Sequence, residues 1–179
     1  MLRRPSVTAS VTASVTARPR PARPRPARAV PAALALASVA ALAACAPTIG
    51  VPAAEDAADP KCAEVMLTLP DELGGDLPQL STDSQATTAW GSAGAAVTLR
   101  CGVTPPGPSA DCQHVESPTG TVDWIVQAGE DGTWRFVTYG REPAVEVLVP
   151  PAVTEDHSTS FIGDLAPAVS KVEATAQCS

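Results

Sequence analysis

The chain has 179 residues, with 12 basic and 19 acidic side chains that are separated along the sequence. After Cys45, five basic and 19 acidic residues remain, which give that part a net charge of −14. Binding to nucleic acid is excluded as its main role, because phosphates are neutralised by clustered Lys and Arg. Anionic lipid head groups would also repel this part of the chain unless an anchor held it.

Residues 1–44 predict a signal peptide with a low-complexity basic N-region. It contains two tandem repeats, "SVTASVTASVTA" and "RPRPARPRPA", neither of which can bury a core. The uncharged run that follows, residues 29–44, is shorter than the roughly 20 apolar residues of a membrane span. A basic region, a short apolar run and small residues at its end are typical of a secretory signal.

The end of this run, Leu42-Ala43-Ala44-Cys45, resembles the lipobox of bacterial lipoproteins. In that family the cysteine thiol is acylated and the signal is cut before it. The resemblance therefore implies that Cys45 is lipidated and that the protein lies on the extracellular face of the cytoplasmic membrane. The alternative is an ordinary signal peptide with an incidental cysteine.

The remaining chain predicts two parts. Residues 45–60 are rich in proline, alanine and acid and lack an apolar period, so we expect the lipidated cysteine and a flexible tether there. Residues 61–179 predict a single globular domain.

Within the domain, hydrophobic periodicity predicts two helices around a set of strands. The expected helices are residues 62–69 and 159–172, with a kink or break at Pro167, and a cap at Ser158 or Thr159. The expected strands are residues 85–90, 95–103, 121–127, 133–139 and 144–149. We therefore predict an α+β fold with a single antiparallel sheet of about five strands and an N-terminal and a C-terminal helix. A small all-β sandwich is the alternative.

Four cysteines remain once the lipidated one is set aside, and an even number in an exported chain predicts two disulfides. Three pairings are possible. We favour Cys101–Cys112, which closes a Pro- and Gly-rich loop, and Cys62–Cys178, which joins the two ends of the domain. A metal site of Cys101, Cys112 and His114 is the alternative, but its spacing fits no usual zinc pattern. We expect no metal and no cofactor.

Catalytic motifs are missing from the sequence. No G-x-S-x-G, H-E-x-x-H, phosphate-binding glycine loop or Ca²⁺ loop is present. The two histidines, His114 and His157, are expected in exposed loops. We therefore nominate no catalytic residue.

The segment "WRFVTYGREP" predicts a possible anion site. Strand alternation puts Arg135 and Tyr139 on one face with Arg141 at its rim, and two arginines beside a tyrosine suit a carboxylate or phosphate. The alternative is that each arginine pairs with an acid on its own surface. Glu142 and Glu146 are the nearest partners in sequence.

The strings "ADPKCAEVMLTLPDELGG", "VDWIV" and "WRFVTYGREPAVEVLVP" together resemble a family of secreted lipoproteins from high-GC Gram-positive bacteria. This is the family catalogued as domain of unknown function 3515. The resemblance runs from Cys45 to Cys178, and "TYGREPAVEVLVP" is its most specific part. It implies a role in the cell envelope and carries no functional residues over.

We therefore expect an envelope lipoprotein whose domain is a non-catalytic binding or interaction module. Its partners would be the membrane, through the lipid anchor, and an envelope protein or a cell-wall fragment. The alternative is an accessory enzyme of cell-wall metabolism. A third class, a purely structural protein, would expose an apolar patch and form no pocket.

Overall fold

The computed structural model describes residues 47–179, which form one mixed β-sheet with short helical segments. The strands are β1 (Thr48–Ile49), β2 (Glu72–Leu73), β3 (Leu77–Thr82), β4 (Thr87–Ser92), β5 (Ala95–Val103), β6 (Cys112–Ser117), β7 (Gly120–Ala128), β8 (Trp134–Thr138) and β9 (Ala144–Val149). The helical segments are α1 (Pro60–Met66), α2 (Pro151–Thr154), a 3₁₀ helix (Thr159–Leu165) and α3 (Ala166–Val169). The strand order is β1-β3-β4-β5-β9-β8-β7-β6, and β2 also pairs with β3.

The predicted α+β fold with about five strands is wrong, because the described chain is mostly β with nine strands in one mixed sheet. The alternative, a small all-β sandwich, is not observed either, because residues 47–179 form one sheet. The five predicted strands correspond to β4, β5, β7, β8 and β9, whereas β1, β2, β3 and β6 were not predicted. Two of these have only two residues each. The sheet-edge strand β6, "CQHVES", lacks a buried face and therefore shows no clear alternation.

The long loop after β5 decides the topology. It carries the chain from β5 to β6 at the far edge of the sheet, and β6, β7, β8 and β9 then return strand by strand to pair with β5. The loop was expected to return close to where it began. Instead it places the start of β6 four strands away from the end of β5, a distance of about 19 Å.

One face of the sheet carries the main core. Val97, Leu99, Val145 and Val147 alternate along the central strands β5 and β9 and are almost fully buried. The helical segments cover this face, and their apolar residues belong to the same buried cluster. Trp124 and Phe136 pack edge to face there, with ring centroids 6.3 Å apart.

The helix predicted at residues 62–69 is confirmed as α1, which begins two residues earlier than predicted. Asp59 caps it by accepting a hydrogen bond from the Lys61 backbone N–H at 2.8 Å, and Pro60 occupies the first turn, where its missing N–H costs nothing. Cys62 and Val65 face the core and are fully buried.

The helix predicted at residues 159–172 is observed as a 3₁₀ helix followed by the short helix α3. Ser158 caps the 3₁₀ helix by accepting a hydrogen bond from the Ser160 N–H, as the sequence indicated. The α-helical part starts only at Ala166, with Pro167 in its first turn. The expected break at Pro167 therefore takes the form of a change from 3₁₀ to α geometry.

The predicted tether is part of the fold where the structure describes it. β1 pairs with β3, Val51 and Ala57 are buried, and the Asp56 N–H donates to the Gly102 carbonyl at 2.9 Å. Gly102 has φ near +100°, and a Cβ at this position would collide with the Asp56 backbone. Isolated small apolar residues without a period gave no sign of this packing. Cys45 and the signal segment lie outside the described residues.

Two disulfides form, but both predicted pairings are wrong. The bonds are Cys62–Cys101 and Cys112–Cys178, each with Cα atoms 5.6 Å apart. Cys101 and Cys112 are separated by the crossing loop, so Cys101 instead meets α1 on the core face. The chain end returns to the far edge strand, which brings Cys178 to Cys112.

Candidate functional site

A small polar cavity of about 330 Å³ lies where β6, β7 and the end of β8 meet the C-terminus. Its walls are His114, Thr121, Asp123, Tyr139, Arg141, Ala174, Ala176 and Gln177. This size is at the lower end of the range for ligand pockets. We refer to it below as the edge pocket.

The C-terminal strap, residues 173–178, forms one wall of the edge pocket. The Thr175 N–H donates to the Gly140 carbonyl at 2.7 Å, and Ala174 bridges to Arg141. Gly140 has φ near +70° and lies against the Ala176 backbone so closely that a Cβ would collide with it. The Cys112–Cys178 disulfide fixes the end of the strap. The pocket therefore depends on the strap for its shape.

Asp123 lies at the centre of the site and is 8 % exposed. It is opposite His114 in the β6–β7 register, and its Oδ1 lies 2.6 Å from His114 Nδ1. Its Oδ2 accepts a hydrogen bond from the Cys178 N–H at 2.8 Å. Both carboxylate oxygens thus have partners within the protein, and a buried carboxylate needs such partners.

Arg141 lies beside Asp123 and is 7 % exposed. Its Nη1 donates to the Val172 carbonyl, whereas its buried Nε has no partner among the described residues. Burial lowers the pKa of Arg141, and the negative charge of Asp123 partly opposes this. The guanidinium remains charged, because arginine does not deprotonate in proteins. Arg141 is therefore a cation in the wall of the cavity, with one buried donor, Nε, that has no partner among the described residues.

The other polar side chains leave atoms available to a ligand. His114 has an imidazole that is 57 % exposed and uses only Nδ1 among the described residues. Because a carboxylate oxygen accepts, His114 Nδ1 donates to Asp123 Oδ1, and Nε2 has no partner among the described residues. Tyr139 and Thr121, which each carry a hydroxyl group, also line the cavity. The edge pocket thus offers mainly donors.

The three residues of the predicted anion site do not lie together in the structure. Tyr139 and Arg141 line the edge pocket together, but Arg135 does not. Arg135 lies about 13 Å along the chain from Tyr139. Its Nε donates to Glu146 Oε2 at 2.5 Å, and Arg100 donates to the other oxygen of the same carboxylate. The pairing of Arg135 with Glu146 that we held as an alternative is the one observed.

Sequence reasoning missed His114 and Asp123 as a pair. Their contact depends on the β6–β7 hairpin, which aligns them across the two strands. The short segment "SPTG" between two stretches of strand-forming residues was the available signal for that hairpin. The expected exposed loop for His114 is wrong in structure, because His114 belongs to β6.

One group among the described residues has the composition of a metal site. His114, Asp123 and Cys178 each place one ligand atom within 4.8 Å of the others. Cys178 is bonded to Cys112 in this state, so it offers no thiolate. The set differs from the one weighed in the sequence, because Cys101 belongs to the other disulfide.

The second histidine makes a separate contact. His157 Nε2 lies 3.1 Å from Asp76 Oδ2, and Nδ1 lies 3.2 Å from the Val153 carbonyl. The hydrogen bond to Asp76 is the main cause that raises the pKa of His157 above its ordinary value of 6.5, and desolvation partly opposes it. The link ties the β2–β3 turn to the segment before the 3₁₀ helix.

This contact predicts a pH dependence of stability. Because the folded-state pKa is raised, the charged pair stabilises the fold below about pH 6.5, and this contribution is lost as the pH rises through the folded-state value. Asp76 is 63 % exposed, so the effect is small. The variant His157→Gln should melt below the wild type at about pH 5.5 and match it at about pH 8. An equal gap at both pH values would contradict the assignment.

Fold and site together define a class of protein: a disulfide-bonded, mostly β domain with a small, donor-rich pocket that its own C-terminus completes. A family model described as Protein of unknown function (DUF3515) matches residues 25–178. The chain belongs to that family. Comparison with curated proteins and with solved structures finds no match. Among the described residues, no helix has the length and apolar character needed to cross a bilayer.

Proposed function

We propose that this protein is a cell-envelope lipoprotein, anchored in the membrane through Cys45, whose domain binds a small anionic ligand in the edge pocket. The observation that carries the proposal is the state of Asp123. Both of its oxygens are occupied by the protein. Asp123 is the one carboxylate that lines the pocket, and it is already bonded to the protein. A ligand in the pocket would therefore meet mainly hydrogen-bond donors.

The donors suit a carboxylate or a phosphate. Arg141 supplies a permanent positive charge within a nearly buried wall, where hydrogen bonds to charged groups are stronger than in water. The Tyr139 hydroxyl adds a neutral donor. Asp123 screens part of this positive charge, so the pocket favours a small ligand with one or two negative groups. Free carboxylates of cell-wall peptides belong to this class.

The anchor explains how a strongly acidic domain would stay at a membrane. The net charge after Cys45 is −14, which opposes adsorption to anionic lipids. Two or more acyl chains provide stable attachment without any help from charge. The lipobox-like sequence before Cys45 supports this part of the proposal.

The anchor makes a direct prediction. The variant Cys45→Ala should leave the membrane fraction, because it lacks the acylated thiol, and its folded domain should keep the wild-type melting temperature. The measurement is sedimentation of membranes followed by detection of the protein in pellet and supernatant. Cys45→Ala that stays in the pellet as fully as the wild type would reject lipid anchoring.

Ligand binding is tested by thermal shift of the purified protein. The panel contains acetate, inorganic phosphate, D-alanyl-D-alanine and muropeptides, with a neutral amide of the same dipeptide as the matched control. A ligand at a hundredfold excess over its Kd stabilises the folded state by about 2.7 kcal/mol. A shift with the free carboxylate and none with the amide supports the proposal. Equal shifts, or none across the panel, would reject it.

A second candidate, an accessory enzyme of cell-wall metabolism, is favoured by one feature. A buried aspartate holds Nδ1 of a histidine whose Nε2 is unused, which is the geometry that orients a general base. Incubation of muropeptides with the protein distinguishes the two functions. Conversion of substrate that is lost in His114→Gln would identify an enzyme, whereas binding without conversion supports the binding module.

A further inference from the structure

Four side chains that bind zinc in proteins converge at one corner of the sheet. Cys112 and His114 are two residues apart on β6, so they lie on the same face. Asp123 lies opposite His114 on β7, and the strap brings Cys178 to Cys112. Two sulfurs, an imidazole and a carboxylate are therefore gathered by the hairpin and the strap together.

Three of these four groups already have a spacing close to that of a tetrahedral site. Ligand atoms of His114, Asp123 and Cys178 all lie within 4.8 Å of one another, and the Cys112 sulfur is bonded to that of Cys178. With Zn–S of about 2.3 Å and Zn–N or Zn–O of about 2.0–2.2 Å, ligands of one zinc ion lie about 3.3–3.8 Å apart. The ligand atoms of His114, Asp123 and Cys178 are therefore at most about 1 Å farther apart than one zinc ion requires, and reduction frees the Cys112 sulfur to turn towards them.

We propose that reduction of the Cys112–Cys178 disulfide converts this corner into a zinc site with Cys112, His114, Asp123 and Cys178 as ligands. A dithiol reductant donates two electrons and two protons to the disulfide and is itself oxidised to a disulfide. The two thiols then lose their protons to solvent as Zn²⁺ binds their sulfurs. The inference goes beyond the proposed ligand binding, although the two share His114 and Asp123.

The two disulfides differ in their access to a reductant. Cys62 and Cys101 are 0 % exposed, whereas Cys112 and Cys178 are half-buried at the edge of the sheet. Thiol–disulfide exchange requires an attacking thiolate to reach a sulfur. Limited reduction should therefore open Cys112–Cys178 first and leave the core disulfide closed. Soft thiolates then favour zinc over magnesium or calcium.

The test titrates Co²⁺ into the purified protein before and after limited reduction, with alkylation and mass spectrometry to identify the free thiols. Reduced protein should bind one Co²⁺ per chain, show thiolate-to-cobalt charge-transfer absorption, and release the ion to Zn²⁺. Oxidised protein should show no such absorption. Zinc should also protect Cys112 and Cys178 from alkylation. A reduced protein without the absorption, or an oxidised protein with it, would overturn the proposal.

Two histidine variants distinguish this site from adventitious thiolate binding. His114→Ala should weaken zinc binding at least about tenfold, since even partners outside the metal's own ligands affect affinity to that extent. His157→Ala removes the other histidine and should bind as the wild type does. Equal affinity in both variants would overturn the proposal. If reduction unfolds the chain, zinc should restore the fold, and failure to do so would also overturn it.

Discussion

Replacing Cys62 and Cys101 together by alanine should lower the free energy of unfolding by about 4 kcal/mol. The bond closes a loop of 39 residues, and the chain-entropy model assigns that value to the loss of the constraint on the unfolded chain. Both cysteines are fully buried in the main core, so the lost sulfur atoms also leave unfilled space. Domains of this size are stable by only about 5–15 kcal/mol. The change therefore removes a large part of the total.

The measurement is urea unfolding of the wild type and the double variant under oxidising conditions. The matched control is Cys112→Ala with Cys178→Ala, whose loop of 66 residues gives about 4 kcal/mol on the same model. Reductant strong enough to open both bonds should lower the melting temperature by roughly 10 °C or more. A loss below about 1 kcal/mol in the core double variant would contradict this account of stability.

Removing both arginines around Glu146 should destabilise the fold by about 3–5 kcal/mol. The Glu146 side chain is 2 % exposed, and Arg100 and Arg135 each donate to one of its oxygens at 2.5 Å. Arg100→Met with Arg135→Met leaves a buried carboxylate without a cation, and that is the costly outcome. Either single variant should cost less, because one arginine remains.

Rescue provides the control for this prediction. Adding Glu146→Leu to the double variant removes the unpaired charge, and an apolar trio can match a buried ionic one in stability. Urea unfolding of the wild type, the double variant and the triple variant should therefore show a loss followed by a recovery. A triple variant as unstable as the double variant would show that the arginines stabilise the fold through packing and not through Glu146.

The centre of the sheet could be predicted from sequence and its edges could not. β5 and β9 have the predicted bounds, because Val, Leu and Cys alternate there with residues of the other face. β6 is polar and partly exposed on both faces, so its period is hidden. No local sequence pattern predicts the order of the strands in the sheet. The crossing of the loop after β5 determines it, and the disulfide pairing follows from that crossing.

The candidate site was found only in part for the same reason. Tyr139 and Arg141 are close in sequence, and a local pattern was enough to group them. His114, Asp123 and Cys178 join them through one hairpin and one returning strap, both of which are tertiary contacts. Arg135 was included because strand alternation puts it on the same face as Tyr139. Alternation along a strand predicts the face on which Arg135 lies but not the residue with which it pairs. The observed partner is Glu146 on the neighbouring strand.

The most direct test of the edge pocket as an anion site is isothermal titration of the free-carboxylate ligand with the largest thermal shift into three proteins. These are the wild type, Tyr139→Phe and Arg135→Gln. Loss of a hydrogen bond to a charged ligand costs about 1.5–3 kcal/mol, so Tyr139→Phe should bind at least about tenfold more weakly. Arg135→Gln should bind as the wild type does, because its side chain lies outside the pocket. Unchanged affinity in Tyr139→Phe, or a loss confined to Arg135→Gln, would contradict the account.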